Sequence, residues 1–206
     1  MNKEVELTAQ LNKSQYGNLH KYLSKNFKNA GTFKRFMVRF FKEKVDVREP
    51  LDIRYKWTNR INQIVLKKGA LGSKSREETT IDLGKKNQLD HFVKLFSMLG
   101  FKKMIAVYRE IEKFTDGSLE VSLITASPYF FVEVEAVDGN SRKRALENVM
   151  NFYKKIGLKP LSRAEYQSFL RKLDRQVNFA FSLDEFPKPL FDSPRWKKIA
   201  NSTIFS

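Results

Sequence analysis

The stretch EVELTAQL, residues 4–11, decides how this chain is read. On an extended strand Val5, Leu7, Ala9 and Leu11 share one face, and Glu4, Glu6, Thr8 and Gln10 share the other. The device returns in FFVEVEAV, residues 130–137, where Glu133 and Glu135 alternate with Val132 and Val134. Two such acidic pairs stand out in a chain whose formal net charge is +16.

That surplus of lysine and arginine predicts an anionic partner, whether nucleic acid, phosphate or an acidic surface. The length of 206 residues fits one domain with a full core. Cysteine is absent, which excludes disulfides, thiolate chemistry and cysteine-based zinc sites. The opening MNKEVEL lacks the apolar run of a signal peptide, and no stretch is as long as a membrane span. A cytoplasmic protein without a membrane partner is expected. His20 and His91 lack metal-ligand spacing, and no phosphate-binding Gly-x-x-x-x-Gly-Lys motif occurs.

Outward from the first strand, Ser14 is placed to cap a helix whose stripe is Tyr16, Leu19, Leu23 and Phe27. A turn is expected at Gly31, then a strand over 33–41 with Arg35 and Arg39 on one side. After Pro50, Asp52, Arg54 and Lys56 alternate with Ile53, Tyr55 and Trp57; a turn at Asn59 and Arg60 returns the chain as INQIVLKKG, residues 61–69. Residues 75–83 alternate again. Asn87 caps a helix with Leu89, Phe92, Val93, Phe96 and Leu99 as its stripe. Strands over 104–114 and 119–126 flank the Asp116-Gly117 turn, and 129–137 completes the set. Ser141 opens a helix ending on Gly157, and Ser162 with Glu165 forms a capping box for another.

Residues 1–175 are read as one domain, and 176–206, with Pro187, Pro189, Pro194 and Trp196, as an aperiodic arm packed on it. The fold class is α+β, with seven or eight antiparallel strands and helices outside.

The polar strand faces carry charges of both signs. If the sheet closes into an eight-stranded antiparallel barrel with the helices packed outside, those faces line a tunnel. Arginine and lysine there suit phosphate oxygens, and carboxylates suit Mg²⁺ or Mn²⁺. Residues i and i+2 lie ~6.6 Å apart on one face, so both carboxylates of a Glu-x-Glu reach one ion or its waters.

In this order of motifs the chain resembles the CYTH, or triphosphate tunnel metalloenzyme, superfamily. The resemblance rests on Glu4-Val5-Glu6-Leu7-Thr8, Ile53-Arg54-Tyr55-Lys56, Lys67-Lys68-Gly69, Arg76-Glu77-Glu78, Val107-Tyr108-Arg109 and Phe131-Val132-Glu133-Val134-Glu135. It spans about residues 3 to 170. The family's first-strand lysine is Thr8 here, and a second lysine is Val107. The resemblance implies a metal-dependent phosphohydrolase acting on a triphosphate-bearing small molecule. Arg39, Arg54, Lys56, Lys68, Arg76 and Arg109 would hold phosphate, with Glu78 and Arg109 nearest the reaction. Glu4, Glu6, Glu133 and Glu135 would hold Mg²⁺ or Mn²⁺. Two alternatives stay open: an adenylate cyclase of the same family, and a module that binds polyphosphate or RNA without chemistry. Assembly as a homodimer is a further open reading.

Overall fold

The computed structural model describes residues 3–42, 51–58, 61–69, 76–137 and 141–203. In chain order the elements begin β1 (Lys3–Glu4), β2 (Glu6–Leu11), α1 (Lys13–Asn26), β3 (Lys28–Lys42), β4 (Leu51–Thr58) and β5 (Asn62–Lys68). They continue β6 (Arg76–Gly84), α2 (Leu89–Met98), β7 (Phe101–Thr115), β8 (Leu119–Ala126), β9 (Tyr129–Ala136) and α3 (Arg142–Lys155). Last come α4 (Arg163–Gln176), β10 (Phe179–Ser182), a 3-10 turn at Leu183–Glu185, α5 (Lys188–Asp192) and α6 (Pro194–Thr203).

The hydrogen-bonded strand order is β1-β6-β5-β4-β3-β7-β8-β9-β2, with β10 attached to β7. Among the described residues this order does not close on itself through hydrogen bonds. An antiparallel sheet with helices is shown, and of the fold expected from the sequence the closure into an eight-stranded barrel is the part that these hydrogen bonds do not show. The two ends of the order are parts of a single N-terminal strand. Lys3 and Glu4 pair with Glu77 and Arg76 of β6, whereas Glu6 to Leu11 pair with β9.

The chain divides into two compact units. The first comprises Met1–Phe33, Ala70–Glu78 and Glu110–Arg171. Its core joins Leu7, Ala9 and Leu11 of β2, Val132 and Val134 of β9, and Leu119, Val121 and Leu123 of β8 to Leu19 and Leu23 of α1 and Val149 and Phe152 of α3. Period-2 apolar faces thus meet period-3.6 stripes, as the patterning requires. The buried Tyr153 hydroxyl donates to the Leu7 carbonyl at 2.7 Å and lies 3.3 Å from that of Val132, fastening α3 to β2 and β9.

Local signals set the element ends. Asn12, two residues before Ser14, caps α1: its Oδ1 accepts the Gln15 N–H at 2.8 Å, and the Gln15 side chain accepts the Asn12 N–H at 2.9 Å. Gly31 lies inside β3, not at a turn. The Asp116 Oδ1 accepts from the amides of Ser118 and Leu119, and Gly117 adopts φ 92°, closing the β7–β8 hairpin where the sequence placed it. The Ser162–Glu165 capping box forms as expected. The Asn59-Arg60 turn lies outside the described residues, although Thr58 and Ile61 exchange backbone hydrogen bonds across it.

The second unit comprises Lys34–Gly69, Thr79–Arg109 and Lys172–Ser206. Phe36, Val38 and Phe40 of β3 and Ile53 and Tyr55 of β4 pack with Val93 and Phe96 of α2 and Trp196 of α6. The tail is not aperiodic: it forms β10, which pairs with Lys103 to Ala106 of β7, and two helices. Pro189 and Pro194 sit in the first turn of α5 and at the first residue of α6, where a missing N–H is harmless.

Tyr55 anchors α2 to this sheet. Its hydroxyl donates to Asn62 Oδ1 at 2.7 Å, lies 3.0 Å from Asn87 Oδ1 and accepts the Gln88 N–H at 3.0 Å. Burial, helped by the charge of Asp90 and opposed by the Gln88 amide, pushes this hydroxyl from 10.0 up to about 12. Between those values the unfolded chain has lost the proton and the folded chain has kept it, so stability falls as pH rises. Thermal melts from pH 9 to 12 are expected to show this loss, reaching roughly 2–3 kcal/mol by its upper end. Tyr55→Phe should flatten the slope while lowering stability at neutral pH.

Candidate functional site

Helices cover one face of the strands in each unit; the opposite faces carry the charged side chains. In the first unit the register places Glu6 opposite Glu135, and Glu135 opposite Glu120, so three carboxylates form one row across β2, β9 and β8. In the next row Thr8 faces Glu133, Glu133 faces Ser122, and Ser122 faces Lys113. Like charges directly opposite on a sheet repel. Lys113 forms an ion pair with Glu120 and relieves one member of the row. Glu6, Glu133 and Glu135 are all half-buried. Burial pushes the Tyr153 hydroxyl well above its ordinary value, and the charges of Glu133 and Glu6 push it the same way, so both carboxylates lie within electrostatic reach of one atom.

The second unit gathers cations. Arg39 faces Arg54, Met37 faces Lys56, and Lys56 faces Gln63 along β3, β4 and β5. Arg39 and Arg109 are buried, at 7% and 5% exposure, although each carries a charge that burial makes costly. Arg39 lies between two carboxylates, 3.7 Å from Asp52 and 3.6 Å from Asp174, with its guanidinium 5.0 Å from the centre of the Phe41 ring. Arg54 grips Asp52 Oδ2 with Nε at 3.1 Å and Nη2 at 2.5 Å. Arg109 donates from Nη1 to the Tyr108 carbonyl at 2.7 Å.

The sequence-derived residues therefore fall into two groups. Glu6, Glu133 and Glu135 share a face in the first unit, and Glu4 precedes them at a register position opposite Arg76. The side chains of Glu4 and Arg76 lie outside the described residues. Glu78 is half-buried on β6 of the first unit. Arg39, Arg54 and Lys56 share a face in the second, and Arg109 alternates with Ala106 and Tyr108 toward the side away from α2.

Lys68 stands apart from these cations. It pairs with Leu51, is exposed, and has the parity of the helix-covered face. Its neighbour Lys67 faces Asp52 and belongs with the cations. Sequence reasoning also passed over Glu120, Asp52 and Asp174. Alternation alone put Glu120 and Asp52 on polar faces; the pairing partners that give them meaning are non-local.

The donor set fits a hard divalent cation in kind, since Glu6, Glu133 and Glu135 supply only oxygen from one strand face. Among the described residues no group of three or more acidic or histidine side chains is close enough to hold an ion as they stand. Thr8 and Val107, where the resemblance read from the sequence implies lysines, are buried at 6% and 3% exposure.

No family model matches the chain, and no curated protein matches it by sequence. Solved structures do. The PH1819 protein of Pyrococcus horikoshii superposes with a TM-score of 0.62 at 19% identity, covering 82% of this chain and 98% of that one. The fold is CYTH-like. A Vibrio parahaemolyticus protein assigned as an adenylate cyclase gives 0.54 at 17% identity, over 80% and 92% of the two chains. The triphosphatase of the mimivirus capping enzyme gives 0.51 at 11% identity, over 76% and 90%. At these identities the likeness is one of fold. Among the described residues, no helix is long and apolar enough to cross a membrane.

Proposed function

We propose that the chain is a divalent-metal-dependent phosphohydrolase acting on a triphosphate-bearing substrate, inorganic, nucleoside or thiamine. One observation carries this reading: in each unit the strand face away from the main helices keeps ionic side chains half-buried or buried. Glu6, Glu133 and Glu135 do so in one unit, and Arg39, Arg54, Lys56 and Arg109 in the other. Sequestering charge costs several kcal/mol per ion unless a partner compensates it. A polyanion for the cations, and a cation for the carboxylates, would compensate both. Fold neighbours named as a triphosphatase and an adenylate cyclase point to the same substrate class.

We further propose that the strands close as a tunnel, supported by the N-terminal strand pairing with β6 on one side of Val5 and with β9 on the other. Mg²⁺ or Mn²⁺ would be held by Glu6, Glu133, Glu135 and Glu4, and when bound supplies neutralisation of phosphate charge and a more acidic water. The chain's own side chains do the rest. The Arg54 and Arg39 forks and the Lys56 ammonium bind and orient phosphate oxygens, and Arg109 meets charge developing on the transferred group. Glu78 orients the attacking water. Phosphoryl transfer asks for positioning and neutralisation, so no covalent nucleophile is required.

The buried Thr8 and Val107 favour a second reading, a module that binds the polyanion without turnover, because they withdraw two cations from the family's set. The experiment that separates the readings is phosphate release from tripolyphosphate, ATP and thiamine triphosphate with Mg²⁺ or Mn²⁺, with cyclic AMP measured alongside. Metal-stimulated release supports the hydrolase; cyclic AMP supports a cyclase; binding without either product leaves only the module.

A further inference from the structure

Asp52 holds an unusual place for a carboxylate. Its side chain is only 8% exposed, and it sits on the strand face that carries Arg39, Arg54, Lys56 and Lys67. One of its oxygens, Oδ2, takes both the Nε and the Nη2 of Arg54, at 3.1 and 2.5 Å. The other, Oδ1, faces Arg39 Nε at 3.7 Å, and Lys67 is its cross-strand partner. From α4, Asp174 takes a second hold on Arg39 at 3.6 Å, on the Nη1 edge away from Asp52. Two arginines directly opposite on neighbouring strands would otherwise repel and turn apart.

We infer that Asp52 is a positioning residue: it fixes the guanidinium plane of Arg54 through two hydrogen bonds and draws Arg39 alongside by charge, so that the two cations meet one phosphate, with Asp174 as the second hold on Arg39. This rests on the proposed phosphate site. A planar fork binds bidentately only when its orientation is set beforehand, and little rotamer freedom is then lost on binding.

The inference opposes simple charge counting. Coulomb's law says that removing a carboxylate from beside a phosphate site tightens anion binding. A positioning role says that it weakens it. The test is calorimetric titration of tripolyphosphate into the full chain with EDTA present, so that no metal takes part, for wild type, Asp52→Asn, Asp52→Glu and Arg54→Gln. Asp52→Asn is expected to weaken binding about 10-fold, the size seen when partners that orient binding groups are removed. Asp52→Glu should recover part of the loss. In the Arg54→Gln background the same Asp52→Asn change should weaken binding much less, because the group whose plane it fixes is gone and only its charge contact with Arg39 remains. Thermal melts of each variant show whether it folds, and Asp174→Asn, which frees one hold on Arg39, gives a smaller loss in the same direction. Wild-type binding with Asp52→Asn equal or tighter overturns the positioning role and leaves the phosphate site standing. No binding by the wild type overturns both.

Discussion

Replacing Glu133 and Glu135 together by glutamine is expected to lower metal-dependent phosphate release from tripolyphosphate by about 10²–10³-fold, the scale on which charge-stabilising groups act. Glutamine keeps the shape and the polar atoms and removes only charge, so the loss would report on ion binding. Stability should move the other way. Glu135 stands between Glu6 and Glu120 in a single row, and neutralising it removes two like-charge oppositions. An unchanged or higher melting temperature with abolished turnover is the expected pair of results. Titration of Mn²⁺ followed by electron paramagnetic resonance should show weakened binding in the same variant. Turnover that survives the double substitution, still stimulated by metal, removes these glutamates from the site.

Trp196→Ala is expected to destabilise the chain by roughly 3–5 kcal/mol. Trp196 lies in the C-terminal segment yet is only 4% exposed. Its ring meets Phe36 of β3 edge-on, with centroids 6.2 Å apart, and stacks on Phe179 of β10 at 5.9 Å. Truncation leaves a cavity between a strand and the segment that covers it, and removes two aromatic contacts in addition to the buried area. Urea unfolding is the measurement. A cost below about 1 kcal/mol would be the behaviour of an exposed surface position, and would mean that the tail is an appendage and not part of the second unit's core.

Much of this was readable from local pattern. The alternation in EVELTAQL and FFVEVEAV places Glu4 with Glu6, and Glu133 with Glu135, on the polar side of their own strand because a strand's period is two, whatever surrounds it. The Asp116-Gly117 turn and the Ser162–Glu165 box rest on hydrogen bonds three or fewer residues long, and both form. Even local chemistry had rivals: Asn12 reaches the Gln15 amide and displaces Ser14 as the cap. Between Lys67 and Lys68 a Lys-Lys pair looks alike from either face. Only the pairing of Asp52 with Lys67 breaks the tie.

Taken alone, the sequence determined which side chains alternate, the hairpin turn at Asp116-Gly117, the capping box at Ser162–Glu165, that charge of both signs rides on the strands, and the family the chain resembles. Those are properties of neighbours along the chain, set by backbone period and capping. The tertiary structure decided the rest: the row of Glu6, Glu135 and Glu120, the clasp of Asp52 and Asp174 on Arg39, and the helices and strand built from the proline-bearing tail. Strand order and register are choices among distant partners, made by burial summed over a whole unit, and no short stretch contains that sum.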